Sequence, residues 1–177
     1  MVVFIPFGQI NGRRTITGLN DLLSFYEAER TKVKVNYIGM EAYPVSAEEL
    51  AALDYDRILP EKNTSEVFKK LHETEWENSS EISAFFSLQK EQKFFREITA
   101  KEEFDLIYFD AFGPRVQPEL WSEEVFRKMY RALRQNGVLV TYSAKGDVRR
   151  AMQASGFTVE RLPGPPGKRE MLRATKL

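Results

Sequence analysis

Short apolar runs alternate along this chain with stretches of helical periodicity, and that alternation constrains the fold more than any other feature. The clearest run is FDLIYF, Phe104–Phe109. It is too short for a buried helix and rich in strand-favouring residues, so it reads as a buried strand that stops at Asp110. Residues 2–7 (VVFIPF), 34–40, 85–92 and 138–143 read as further strands. Between them, residues 19–29 place Leu19, Leu22, Leu23, Phe25 and Tyr26 at helical spacing. Residues 46–53, 65–75, 122–134 and 146–155 also read as helices, with Glu48 and Glu49 favouring the start of the first of these. Asn136-Gly137 is expected to end the helix of residues 122–134 in a left-handed cap. Residues 8–17 read as a loop. Residues 157–162 and 170–175 read as two closing strands joined by PGPPGKR. Such an order predicts an α/β, Rossmann-like fold. The sheet is mainly parallel with helices on both faces, and a C-terminal antiparallel hairpin completes it. The 177 residues suit a single domain, 1–177.

Composition excludes several chemistries. The chain has no cysteine and one histidine, His72. Disulfides, thiolate metal sites and cysteine nucleophiles are therefore ruled out, and no metal is expected. The N-terminus has no basic segment followed by a long apolar run, and no stretch approaches a membrane span, so the expected location is cytoplasmic. Lys and Arg balance Asp and Glu at 26 each, but unevenly. Residues 41–103 hold 8 basic and 15 acidic side chains, whereas residues 145–177 hold 8 and 3. The basic end suits a polyanion, and it equally suits a solvated surface.

In an open α/β sheet, ligands bind beyond the carboxyl ends of the strands. Gly8, Glu41 and Asp110 fall there. A glycine after the first strand permits close backbone approach, and an acidic residue after the second accepts hydrogen bonds from ribose hydroxyls. The glycines do not form G-x-G-x-x-G, and Glu41 and Asp110 also fit the role of turn caps. The bare pattern leaves both readings open.

From Phe104 onward, D-A-F-x-P…P-x-x-W at 110–121, S-A-x-G-x-V-R-R at 143–150 and G-K-R-E-M at 167–171 resemble the MnmC-like methyltransferases. Residues 18–46 resemble the same family's first helix and second strand. The resemblance implies a class I, S-adenosylmethionine-dependent methyltransferase that acts on an aminomethyl group of the wobble uridine in tRNA. It implies Gly8, Gly18, Asn20, Glu41 and Asp110 as cofactor-binding residues, with Glu41 on the ribose and Asp110 also as the catalytic group beside the acceptor amine. Phe112, Pro114 and Trp121 would shape the acceptor pocket, and Lys168 and Arg169 would face the RNA. A core anchor is the other reading of Trp121. The family also implies an FAD-dependent oxidase, fused or separate, that supplies the aminomethyl substrate.

The chain departs from the family in three places. Its glycine segment reads IPFG…TGLN with INGRRTI between, which alters the surface that would cradle the methionine part of the cofactor. LQKEQKFF lacks the Asp expected beside the adenine, so Phe94 would stack there. The family's N-terminal extension is expected to be absent, and residues 54–80 diverge. These departures carry the alternative reading, a catalytically degenerate homologue that binds RNA or a protein.

Overall fold

A computed structural model of the chain describes residues 2–5, 9–10, 13–14, 18–42, 44, 59, 61, 63–94, 97–164, 167 and 169–177, the first three stretches by backbone alone. In chain order the elements are β1 (Val2–Ile5), β2 (Gln9–Ile10), β3 (Arg13–Arg14), α1 (Leu19–Thr31) and β4 (Val35–Met40). Next come α2 (Thr64–Glu73), β5 (Ser79–Glu81), β6 (Phe86–Glu91) and β7 (Phe104–Phe109). A 3-10 turn (Pro118–Trp121), α3 (Glu123–Ala132), β8 (Leu133–Thr141), α4 (Gly146–Ala154), β9 (Thr158–Pro163) and β10 (Glu170–Thr175) complete the series.

Eight strands form one sheet in the order β5-β6-β4-β1-β7-β8-β10-β9. The five central strands, β6 to β8, run parallel, and β5, β10 and β9 are antiparallel to their neighbours. The fold class read from the sequence is therefore observed, with an extra antiparallel edge at β5. From β1 the chain moves out through α1 to β4, whereas from β7 it moves the other way to β8. That reversal opens a crevice at the carboxyl ends of β1 and β7.

Two apolar clusters cover the sheet. Leu22 and Ala28 of α1 and Phe68 and Leu71 of α2 pack with Tyr37, Phe86 and Leu88. Phe126 and Met129 of α3 and Val148 and Met152 of α4 pack with Ile107, Phe109 and Leu139. Strand alternation sorts β7 between the two clusters: Ile107 and Phe109 enter the second, while Tyr108 lies against the first. Phe109 also meets Trp121 edge to face at 5.1 Å and lies tilted against Phe126 at 5.4 Å. Full burial of rings of this kind contributes about 2–3 kcal/mol each, and it fixes the end of β7 where Asp110 emerges.

Several boundaries differ from expectation. The helix expected over 122–134 ends at Ala132, and Leu133 is already extended at φ −76° and ψ 143°. Asn136 does adopt the left-handed conformation, at φ 63°, but inside β8 rather than at a helix end. Sheet partners account for the difference. Leu133 lies opposite Phe104, and Asn136 N–H donates to the Lys176 carbonyl at 2.8 Å. Within the expected loop 8–17, Gln9–Ile10 and Arg13–Arg14 pair as a small hairpin. The helix expected over 46–53 lies outside the described residues. Among the described residues no helix is long and apolar enough to cross a membrane.

Candidate active site

Beyond the ends of β7 and β8 lies an open cavity of about 380 Å³, mostly apolar, whose walls include Asn20, Tyr108, Asp110, Val140, Tyr142 and Met171. Asp110 is exposed there. Asn20, from the first turn of α1, reaches across and its Nδ2 lies 3.5 Å from Asp110 Oδ2, the outer limit of a hydrogen bond. An apolar cleft with one carboxylate and one amide at its mouth can orient a small polar group and shield it from water.

The turn that carries Asp110 is anchored through its carbonyls. Tyr142 Oη donates to the Ala111 carbonyl at 2.8 Å, and Trp121 Nε1 donates to that of Phe112 at 2.7 Å. The Gly113 carbonyl accepts from Val116 N at 2.8 Å and Gln117 N at 3.2 Å. Phe112 and Pro114 are half-buried within this turn, while Trp121 is 5% exposed and belongs to the core cluster. Trp121 thus acts on the site through the backbone that it holds. Burial, and secondarily the Asp110 carboxylate, push the Tyr142 hydroxyl above the usual phenol range, so it remains a donor at neutral pH.

On the other side of β1, Glu41 follows β4 and is 1% exposed. Its N–H donates to Glu91 O at 2.9 Å, and its carbonyl accepts from Lys93 N at 3.2 Å. These bonds fix the residue against the end of β6. A carboxylate held at a strand's carboxyl end matches the chemistry of ribose hydroxyls, which are donors to it. Where LQKEQKFF lacks an Asp, Glu91 accepts from Gln89 Nε2 at 2.8 Å and pairs with Lys93 Nζ at 2.8 Å. Phe94 is 40% exposed beside it.

Gly18 has a physical reason to be glycine that is separate from any ligand. It is left-handed at φ 66°, and a Cβ there would meet His72 Cε1 at 2.3 Å. Gly8 and Lys168 lie outside the described residues. Arg169 is exposed, two residues before Met171 of the cavity wall.

Sequence reasoning missed Tyr142 and Met171, and also a group of buried and half-buried ionisable residues at the start of α1. Burial raises the Asp21 carboxyl to about 7, opposed by its own and Leu22's N–H groups and by Lys90. Leu22 N donates to Asp21 Oδ1 at 3.1 Å. Burial also pushes Tyr37 well up, helped by Asp21, Tyr108 and Asp110. The Tyr37 hydroxyl has no hydrogen-bond partner among the described residues. His72 and Lys90 are both lowered, chiefly by burial. Lys90 Nζ donates to the His72 carbonyl at 2.7 Å. One signal was available in sequence: Lys90 interrupts a half-apolar strand.

Residues 59–177 match a protein family described as S-adenosyl-L-methionine-dependent methyltransferase. A protein of Aromatoleum aromaticum named tRNA 5-methylaminomethyl-2-thiouridine biosynthesis bifunctional protein MnmC is 44% identical over 69 residues, 39% of this chain and 11% of that protein. Its namesake from a Psychrobacter species is 34% identical over 94 residues, 53% of this chain and 13% of the relative. The matches therefore span only a small part of these relatives' length. The crystal structure of MNMC2 from Aquifex aeolicus superposes with a TM-score of 0.72 at 21% identity, covering 98% of this chain and 52% of that one. A spermidine synthase in complex with the transition-state analogue AdoDATO gives 0.52 at 18% identity, covering 99% and 53%. At these identities the two structures establish a shared fold.

Proposed function

Because the chain belongs to the S-adenosyl-L-methionine-dependent methyltransferase family, we propose that it methylates the amine of an aminomethyl-uridine at the wobble position of tRNA. In this reading residues 1–177 work as one catalytic domain, and an FAD-dependent oxidase supplies the aminomethyl group. The observation that carries the reading is Asp110, exposed at the carboxyl end of β7 on an apolar cleft of about 380 Å³.

The cofactor supplies an electrophilic methyl group. Glu41 would accept hydrogen bonds from its ribose hydroxyls, and Gly8, Gly18 and Asn20 would border the same side. Asp110 would accept an N–H of the unprotonated acceptor amine, point its lone pair into the cleft, and take the proton lost when the new N–C bond forms. Orientation is the larger contribution, because the amine is already a competent nucleophile. Phe112 and Pro114 would flank the extruded base. Lys168 and Arg169 would meet phosphates, which makes binding weaken with salt.

The test is methylation of tRNA bearing the aminomethyl-uridine, with nucleoside analysis of the digested product. The reading expects the methylaminomethyl nucleoside in that tRNA and none in tRNA that lacks the amine. Conversion of small polyamines in its place would overturn the RNA assignment. No turnover by a protein that binds the cofactor would overturn the enzyme assignment.

A further inference from the structure

We infer that Tyr142 is the positioning residue of the acceptor carboxylate: its hydroxyl holds the turn that aims Asp110 into the cleft. This rests on the methyltransferase reading of the site for its kinetic consequence, but its structural part stands on the turn's own anchors. Three successive carbonyls after Asp110 are each held by a different donor. Ala111 O is held by Tyr142 Oη at 2.8 Å, Phe112 O by Trp121 Nε1 at 2.7 Å, and Gly113 O by Val116 N at 2.8 Å. The last of these is internal to the loop and cannot position it against the sheet. The first two tie it to β8 and to the segment before α3.

Of those two anchors, Tyr142 is the one next to the chemistry. It shares the cavity wall with Asp110, and it bonds the residue that directly follows the carboxylate. Ala111 is fully buried, so the carbonyl that Tyr142 holds has no access to solvent as a substitute partner. The Tyr142 ring is itself held, edge to face, 6.0 Å from Trp121. Asp110 Oδ2 stands 3.5 Å from Asn20 Nδ2, at the outer limit of a hydrogen bond. The anchored backbone sets where the carboxylate leaves β7. A misplacement of even an ångström lowers the rate of a displacement that depends on alignment.

Tyr142→Phe removes the hydroxyl and keeps the ring, so it isolates this bond from packing. In the full chain, kcat should fall about 30-fold, with KM for tRNA and affinity for S-adenosylmethionine within about threefold. Hydrogen exchange at Val116 and Gln117, which close the same turn, should accelerate about tenfold. Trp121→Phe should accelerate the same exchange while also lowering Tm, because Trp121 is a core residue. Unchanged exchange in Tyr142→Phe overturns the proposal whether or not the protein methylates tRNA. Unchanged kcat in a wild-type-active enzyme overturns it as well. Absence of activity in wild type alone counts against the methyltransferase reading, and exchange still decides the role of Tyr142.

Discussion

The two sides of the crevice hold their polar groups in different ways. On the β7–β8 side, neutral donors meet backbone carbonyls in fixed pairs: Tyr142 with Ala111 and Trp121 with Phe112. On the β4–β6 side, buried Tyr37 and half-buried Asp21, His72 and Lys90 gather beside the start of α1, and their ionisation is shifted chiefly by desolvation and in part by charges within the group. The first arrangement gives directional precision that is indifferent to pH. The second places Asp21, whose ionisation is shifted, in the first turn of α1, next to Asn20, which borders the cleft. In the proposed function the acceptor would need the exact aim of the first side, and the cofactor would lie over the softer, charge-dependent floor of the second.

The sharpest way to break this comparison is Asp110→Asn. Turnover should fall about 1000-fold or more, with S-adenosylmethionine affinity within about tenfold. Unchanged turnover would move the chemistry off β7. Glu41→Ala should act on the other side alone. Loss of a charge-assisted contact worth about 2–3 kcal/mol predicts roughly 100-fold weaker cofactor binding by calorimetry. If both variants weaken cofactor binding equally, the two sides are not divided as described.

How far each side could be read in advance follows the same division. FDLIYF announces β7 because six adjacent residues carry the signal, and the carboxyl-end rule then points to Asp110 without any contact being known. Tyr142 lies one residue beyond the end of β8, and the run VLVTYS that contains it gives no hint of a bond to Ala111. Met171 reaches the cleft only because β10 inserts between β8 and β9, a non-local pairing. The start of β8 departs from the sequence expectation for a related reason. Asn136 carries a true local preference for a positive φ, and only the partners Phe104 and Lys176 decide that it serves a strand. The Asp21 group depends on side chains from α1, α2, β4 and β6 converging, which no window of sequence displays.

Gly18→Ala probes the floor of the β4–β6 side. Both the left-handed φ of 66° and the 2.3 Å approach of His72 oppose a methyl group. A loss of about 2–3 kcal/mol in urea unfolding is expected. Adding His72→Ala should restore the part due to the ring and leave the conformational part, about 1 kcal/mol. Full additivity of the two substitutions would mean that the ring does not constrain Gly18.

The smallest effect, and the most specific to the ionisable side, belongs to Asp21→Asn. The Asp21 carboxyl lies at about 7 in the folded chain against an ordinary 3.8, so the folded state binds more protons between those values. Stability from this group is complete below about 4 and is lost as pH rises through 7. Asparagine is neutral throughout and can still accept the Leu22 N–H. The variant should therefore be more stable than wild type at pH 8, by about 3–5 °C in Tm, with the gain shrinking at pH 5. His72 contributes in the opposite sense, since its folded value is lowered from 6.5, but it is present in both proteins and cancels in the difference. A gain that is constant with pH would mean that Asp21 contributes by packing, and one that grows toward pH 5 would reverse the assignment of its charge.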